Sequence, residues 1–128
     1  MQIHHLSKNN SVLNHFLGQI RDVNIHNDSL RFRKNMERIG EIMAYELSKN
    51  LDYQAVVIPT PLGTKATQYI KNSLVICSIL RAGLTLHNGF LNYFDAAENG
   101  FISAYRHHPN NRSEERRVGK ECLRLCRS

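Results

Sequence analysis

The sequence predicts an α/β fold in which helices flank a parallel sheet and a β-hairpin projects as an arm. A continuous apolar run at residues 74–80 is typical of a buried strand, and a helical segment at 84–92 separates it from a second strand at 101–105. Two strand-like runs that flank Pro61, Leu62 and Gly63 predict the hairpin. At 128 residues the chain holds at most one domain.

Two helices are predicted ahead of the hairpin. Ser11 is placed to cap a short helix with four apolar residues on one face: Leu13, Phe16, Leu17 and Ile20. Asp28 is the expected N-cap of a longer helix over residues 29–50, which has apolar residues at helical spacing: Phe32, Met36, Ile39, Met43 and Leu47. Arg33 and Glu37 lie four residues apart on this helix and are expected to pair at its surface.

The hairpin strands are predicted at residues 54–60 (QAVVIPT) and 64–70 (TKATQYI). Pro59 indicates an edge position or a projecting arm, because proline has no N–H to donate to a sheet. A contact between subunits and a simple flap are both compatible with such an arm.

The strand at 74–80 is expected to be covered on both faces, as in parallel sheets, so Cys77 is expected to be a small core residue. Gly100 is predicted to form a turn before the strand FISAY at 101–105. Strand, helix and strand together span about 32 residues, which predicts a right-handed βαβ unit.

The composition argues against nucleic-acid and membrane partners. Of the net charge of +6, residues 112–128 supply +3 from six basic and three acidic side chains, and no aromatic residue stands among them for base stacking. No run approaches the roughly 18 apolar residues of a membrane helix, and the N-terminus lacks the layout of a secretory signal. Three cysteines (Cys77, Cys122 and Cys126) form neither an even disulfide framework nor a zinc-ligand pattern, which favours a cytoplasmic, reducing setting.

Two arginines, Arg81 and Arg106, end the two predicted parallel strands. Ligands of open α/β sheets bind beyond the carboxyl ends of the strands, and the guanidinium fork suits phosphate oxygens. Ala82 and Gly83 follow Arg81 as a small-residue turn whose backbone N–H groups can approach an anion. The arrangement predicts a site for a polyanion with separated phosphates; the simpler alternative is a solvated arginine and a turn glycine. His87 falls on the helix after this turn, where it could approach the site.

The chain resembles the N-terminal part of the uracil phosphoribosyltransferase family over residues 1 to about 108. The resemblance is carried by NSVLNHFLGQIRDVNI, LRFRKNMERIGEIMAYELSK, TPLG, SILRAGL and HNGFLNYFDAAENGFISAYR. It implies a partial type I phosphoribosyltransferase fold. It also implies pyrimidine salvage: transfer of phosphoribosyl from phosphoribosyl pyrophosphate (PRPP) to uracil N1, which gives UMP and pyrophosphate.

The same resemblance implies the ligands of the site. Arg81 and Arg106 fall on arginines that bind PRPP in the family, and Ala82 and Gly83 fall on the turn that faces its pyrophosphate. A non-proline cis peptide bond beside Arg81 is compatible with the backbone geometry of family members. The resemblance further implies Mg²⁺ bound with PRPP, GTP as an activator, and a homo-oligomer for the full-length protein.

The sequence departs from the family in its C-terminal part. No acidic segment followed by A-T-G-G-[ST] occurs, and the segment that recognises uracil is also missing. We therefore expect no catalytic residues, no metal site and no transferase activity in these 128 residues. RSEERRVGKEC resembles a stretch that recurs where a reading frame runs into foreign DNA. Residues 1–111 are thus predicted to be the N-terminal part of a phosphoribosyltransferase domain, and 112–128 a non-native tail that is disordered or irregular.

Two alternatives stay open. One is an RNA-binding regulator of pyrimidine operons that uses the same PRPP fold, and the other is an inactive fragment with no function of its own. We also expect a marginally stable fold with an uncovered sheet edge.

Overall fold

The computed structural model of the protein describes residues 3–107 and 115–118, with three α-helices and five strands in these two ranges. The helices are α1 (Val12–Arg21), α2 (Ser29–Ser48) and α3 (Leu84–Leu91). The strands are β1 (Tyr53–Thr60), β2 (Gly63–Ile70), β3 (Val75–Leu80), β4 (Glu98–His107) and β5 (Glu115–Val118). This order of elements confirms the predicted α/β class.

The two N-terminal helices begin in different ways. Asp28 caps α2 as predicted, and its Oδ1 accepts a hydrogen bond from the backbone N–H of Arg31 at 3.0 Å. Ser11 occupies the N-cap position of α1, but its side chain makes no capping bond, so that prediction is wrong. None of the helices in the described ranges is both long and apolar enough to cross a membrane.

Helix α2 packs against α1 on one side and α3 on the other. Of its predicted apolar stripe, Ile39 is buried while Phe32, Met43 and Leu47 are exposed. At the contact with α3, Gly40 is buried and lets the two helix backbones approach closely; Ala44, one turn further along α2, is also buried. The predicted pair Arg33–Glu37 is replaced by Lys34–Glu37, in which Nζ and Oε2 are 2.9 Å apart.

Strands β1 and β2 form the predicted antiparallel hairpin. Their register runs from Tyr53 opposite Ile70 to Thr60 opposite Gly63, and Gly63 has φ +132°, a conformation that favours glycine. Apart from a hydrogen bond from the Tyr53 hydroxyl to the carbonyl of Ser48, the hairpin packs against no other described helix or strand. It therefore projects, as Pro59 indicated.

Strands β3 and β4 form the predicted parallel pair, connected through α3. The register runs from Val75 opposite Glu98 to Leu80 opposite Ser103. β4 begins earlier than predicted, and Gly100 lies inside it opposite Cys77, so the predicted turn at Gly100 is wrong. A Cβ added at Gly100 would lie 3.5 Å from the Sγ of Cys77, which is an ordinary contact distance.

Only one face of β3 is covered in the described part of the chain. Ile76, Ser78 and Leu80 alternate with exposed Val75, Cys77 and Ile79. The expectation that both faces are covered is wrong, and so is the core position of Cys77, whose thiol is exposed and free. The physical reason is that α3 packs against one side of the strand and no described element packs against the other. We call the exposed side, with Val75, Cys77 and Ile79, the open face.

Strand β5 completes the sheet, whose order is β3-β4-β5. It pairs antiparallel with β4 from Ala104 opposite Val118 to His107 opposite Glu115. These four residues do not follow the irregular course expected of the tail, and the tail's foreign origin remains a prediction. The rest of the predicted tail, 112–114 and 119–128, lies outside the described residues.

Candidate anion-binding site

The predicted site lies where β3 turns into α3. β3 ends at Leu80, residues 81–83 form the turn, and α3 begins at Leu84. The peptide bond between Leu80 and Arg81 is cis. The turn is closed by a hydrogen bond from the N–H of Gly83 to the carbonyl of Ile79, 2.9 Å, and by one from Leu84 to the carbonyl of Arg81, 3.2 Å.

Gly83 is required by close approach of the chain. A Cβ at this position would lie 2.8 Å from the carbonyl oxygen of Ile79 and 3.3 Å from the Cβ of Ser78. The N–H of Gly83 is used inside the turn, so it is not free to meet a ligand as the sequence suggested. The N–H groups of Ala82, Thr85 and Leu86 have no hydrogen-bond partner within the described ranges and remain available as donors.

Arg81 presents its side chain to solvent at the start of this turn. Three ion pairs occur among the described residues, Asp28–Arg31, Lys34–Glu37 and Glu46–Lys49, and Arg81 takes part in none of them. An exposed guanidinium without an internal carboxylate keeps all five N–H donors for an external anion.

Arg106 lies in β4, three residues beyond Ser103, and its backbone pairs with Arg116 of β5. Because Leu80 is opposite Ser103, Arg81 is level with Ala104, and Arg106 follows two residues, roughly 7 Å, further along the strand. Both arginines therefore belong to the carboxyl edge of the parallel pair, as predicted. The side chain of Arg106 lies outside the described residues.

A polar chain with a buried histidine at its centre lies under the turn. His87 of α3 is only 3 % exposed. Its Nδ1 is 2.8 Å from the Oγ of Ser78 in β3, and its Nε2 is 2.7 Å from the Oδ1 of Asn99 in β4. Its ring also lies against that of Phe101, with centroids 5.0 Å apart and the ring planes tilted by 35°. We call Ser78, His87 and Asn99 the histidine bridge.

Sequence reasoning placed His87 near the site but missed both of its partners. The available signal was a single histidine among the apolar residues of a short helix that follows a strand. Its partners are nine and twelve residues away, on two different strands. Only the β3–β4 register brings Ser78 and Asn99 to the same side of the sheet as α3.

The described residues contain no cluster of three or more histidine, cysteine or carboxylate side chains that could hold a metal ion.

Comparison with protein families matches residues 7–118 to the uracil phosphoribosyltransferase family model. The chain belongs to the uracil phosphoribosyltransferase family. The matched range includes the Arg81 turn, the histidine bridge and both strands of the parallel pair.

Individual relatives agree with this membership. A uracil phosphoribosyltransferase of Porphyromonas gingivalis is 52% identical over 106 residues, which are 83% of this chain and 49% of that protein. One from Sulfolobus acidocaldarius is 41% identical over 109 residues, with the same coverage. The chain thus spans about half the length of the curated uracil phosphoribosyltransferases that it matches.

A solved structure has the same fold over most of the chain. The structure of AQ2163 protein from Aquifex aeolicus superposes with a TM-score of 0.67 at 27% sequence identity, over 77% of this chain and 47% of that one. The partial coverage of that chain agrees with a partial phosphoribosyltransferase fold in the present one.

Proposed function

We propose that this chain carries the pyrophosphate-binding part of a uracil phosphoribosyltransferase, which converts uracil and PRPP to UMP and pyrophosphate. The observation that supports it most directly is Arg81, an exposed cation without an ion-pair partner in the described ranges, held where β3 ends and α3 begins. Membership of the family supplies the identity of the anion.

The reaction explains why a fixed cation is useful at this place. The bond between C1′ of the ribose and the pyrophosphate oxygen breaks, a bond forms from uracil N1 to C1′, and the N1 proton is released. Negative charge builds on the departing pyrophosphate as the bond breaks, so a guanidinium near it stabilises the transition state more than the bound substrate. The free N–H groups of Ala82 and Thr85 would act in the same direction.

Further parts of the proposal rest on the family resemblance. Mg²⁺ would bind to the PRPP phosphates and enter as part of the substrate. GTP would act as an activator of the full-length protein. The protein would be cytoplasmic and would have no nucleic-acid partner. The projecting hairpin, with exposed Val57, Leu62 and Tyr69, would provide the contact between subunits of a homo-oligomer.

The 128-residue chain itself is expected to bind without turning substrate over. It lacks the A-T-G-G-[ST] loop on which the family relies for the ribose 5′-phosphate. We expect no UMP when the purified chain is incubated with uracil, PRPP and Mg²⁺, and sustained UMP formation would contradict this part of the proposal.

The binding site is tested by titrating inorganic pyrophosphate into the chain and measuring the dissociation constant by calorimetry. R81Q removes the charge and is expected to weaken binding about 10- to 100-fold, because a charge-assisted hydrogen bond is lost. R81K keeps the charge but not the fork, and an intermediate loss is expected.

The matched control is R21Q, which removes the same charge from α1. Among the described elements this helix packs only on α2 and on a short 3-10 turn at Leu6–Lys8. R21Q should bind pyrophosphate like the wild type. Equal pyrophosphate affinities of the wild type and R81Q would contradict the assignment of Arg81 to the binding site.

A further inference from the structure

The histidine bridge joins three elements beneath the Arg81 turn: β3 through Ser78, α3 through His87 and β4 through Asn99. The amide of Asn99 is oriented by a hydrogen bond from its Nδ2 to the carbonyl of Ala97, 3.4 Å. Its Oδ1 therefore faces the histidine and accepts. The Nε2 of His87 then carries the proton, and Nδ1 accepts from the Ser78 hydroxyl.

Two of the three members of the bridge, Ser78 and His87, lie next to the turn. Ser78 lies three residues before Arg81, and its Cβ would be 3.3 Å from a Cβ at Gly83. The backbone N–H of His87 donates to the carbonyl of Gly83 at 2.9 Å, while the N–H of Gly83 donates to Ile79. The bridge is thus linked to Gly83 through the neighbouring Ser78 and through the backbone of His87.

We propose that His87 is a positioning residue, which fixes the direction in which the turn presents Arg81 and the N–H of Ala82 without contacting the ligand. The role rests on the proposed function only for the identity of the anion. An apolar residue at position 87 would be held by packing alone. The two hydrogen bonds of His87 are directional, so they also fix the orientation of its ring relative to β3 and β4.

A purely structural histidine is the competing explanation, and it makes a different prediction. Loss of its hydrogen bonds would then lower the free energy of unfolding of the whole chain, and amide exchange would speed up equally at every protected site. A positioning role instead concentrates the effect on the turn. The chain offers a matched control in Asn35, a fully buried side chain in the α1–α2 contact that donates to Gln19 Oε1 at 2.8 Å and lies in no part of the turn.

Four variants of the 128-residue chain test the proposal: H87L, H87Q, S78A and N35A. H87L removes both hydrogen bonds of the bridge, whereas H87Q keeps one acceptor and one donor on its side chain. S78A removes only the hydrogen bond to β3. Amide hydrogen exchange is measured at Gly83 and at Ala44 in the helix core, together with the affinity for inorganic pyrophosphate.

We expect H87L and S78A to speed exchange at Gly83 about 5- to 30-fold more than at Ala44, since H87L removes both hydrogen bonds of the bridge and S78A leaves the Nδ1 of the buried His87 without its partner. Pyrophosphate affinity should fall by a similar factor, and H87Q should recover most of both losses. N35A should speed amide exchange at Gly83 and at Ala44 by the same factor. Its pyrophosphate affinity, corrected for the fraction of folded chain, should equal that of the wild type.

The imidazole ¹⁵N shifts of the wild type give a second readout, independent of ligand and of stability. Protonation on Nε2 alone supports the bridge, and a proton on Nδ1 alone would overturn it. Equal acceleration at Gly83 and Ala44 in H87L and S78A would also overturn the positioning role.

The two proposals fail in distinguishable ways. If the wild type does not bind pyrophosphate, the proposed ligand of the turn is wrong, and the ratio of exchange rates at Gly83 and Ala44 still decides the role of His87. If the wild type binds and H87L binds equally well, Arg81 keeps its assignment and the positioning role is rejected.

Discussion

Asp28 begins α2 with a carboxylate that serves two donors of one residue. Oδ1 accepts from the backbone N–H of Arg31 at 3.0 Å, and Oδ2 lies 3.4 Å from the Nε of the same arginine. The backbone hydrogen bond is the main cause that lowers the pKa of Asp28 below its ordinary value, and the guanidinium contributes further. The stabilisation that Asp28 gives to the start of α2 therefore varies with pH.

The lowered pKa fixes the sign of a pH effect. Because the folded pKa lies below the ordinary one, the stabilisation is present above the ordinary value and is lost as the pH falls through the folded value. We expect D28N to keep the cap and lose this acid dependence, and D28A to be less stable already at neutral pH. Urea unfolding at neutral and acidic pH, followed by circular dichroism, measures both; an unchanged acid dependence in D28N would count against the assignment.

Single residues differ in how far they can be predicted from sequence. Asp28 was predictable because its partner is three residues away in the same turn of helix. The partners of His87 are on two strands, and the exposure of Cys77 depends on what packs against β3. Neither is encoded locally, so neither follows from residue type or spacing.

At the scale of elements, the crossing of α2 and α3 depends on two glycines. A Cβ on Gly89 would collide with the carbonyl oxygen of Glu37 and lie 2.9 Å from the Cα of Gly40. A Cβ on Gly40 would lie 2.5 Å from the carbonyl oxygen of Leu86. The obstacles are backbone atoms, which cannot move aside as a flexible side chain can. The two helices must therefore separate to admit a methyl group.

We expect G89A to lower the free energy of unfolding by about 1–3 kcal/mol through overpacking. G18A is the matched control, since no atom lies within 4 Å of a Cβ at Gly18 in the middle of α1. There the same substitution should raise stability by about 1 kcal/mol through helix propensity. Chemical denaturation of the three chains gives both values, and a neutral G89A would show that the helices can move apart without cost.

The order and type of the main elements could be predicted because their periodicity is local. The helices, the hairpin and the strand–helix–strand unit all appear close to their expected limits. Packing between elements could not be predicted in the same way. The continuous apolar run at residues 74–80 indicated a strand covered on both faces, yet periodicity does not report which neighbours are present to cover them.

At the scale of the whole molecule, the described part of the chain buries few apolar side chains and leaves others exposed. Leu13, Ile39, Ala44 and Phe94 are the buried apolar residues among those described, and the open face of β3 remains in contact with solvent. Uncovered apolar surface beside a free strand edge favours self-association.

We expect the wild-type chain to associate increasingly with concentration and I79K to shift it toward monomer without loss of helix content. V12K is a suitable control, because Val12 of α1 is exposed to the same extent as Ile79, 57 % and 56 %, away from the sheet. Sedimentation velocity over a concentration series measures the effect. Equal behaviour of I79K and V12K would show that association does not involve the open face.

The candidate site illustrates the same limit on prediction at this scale. Arg81 and the turn after it could be identified from a strand end followed by small residues, and the β3–β4 register places Arg106 at the same edge. The internal use of the Gly83 N–H and the bridge beneath the turn depend on three elements assembled together. They could be found only in the folded chain.

The two strand pairings of this protein also differ in how they can be assembled. In the hairpin, partners are three residues apart at the turn and 17 apart at the far end, so each new pair forms next to one already made. In the parallel pair every residue is 23 positions from its partner. The first pair to form therefore costs the whole entropy of closing that loop, before any further pair can add stability. The hairpin can therefore form from its turn outward at any stage of folding. The parallel pair, and with it the edge that carries Arg81, has no such turn to start from, and its first contact must close the whole segment that contains α3.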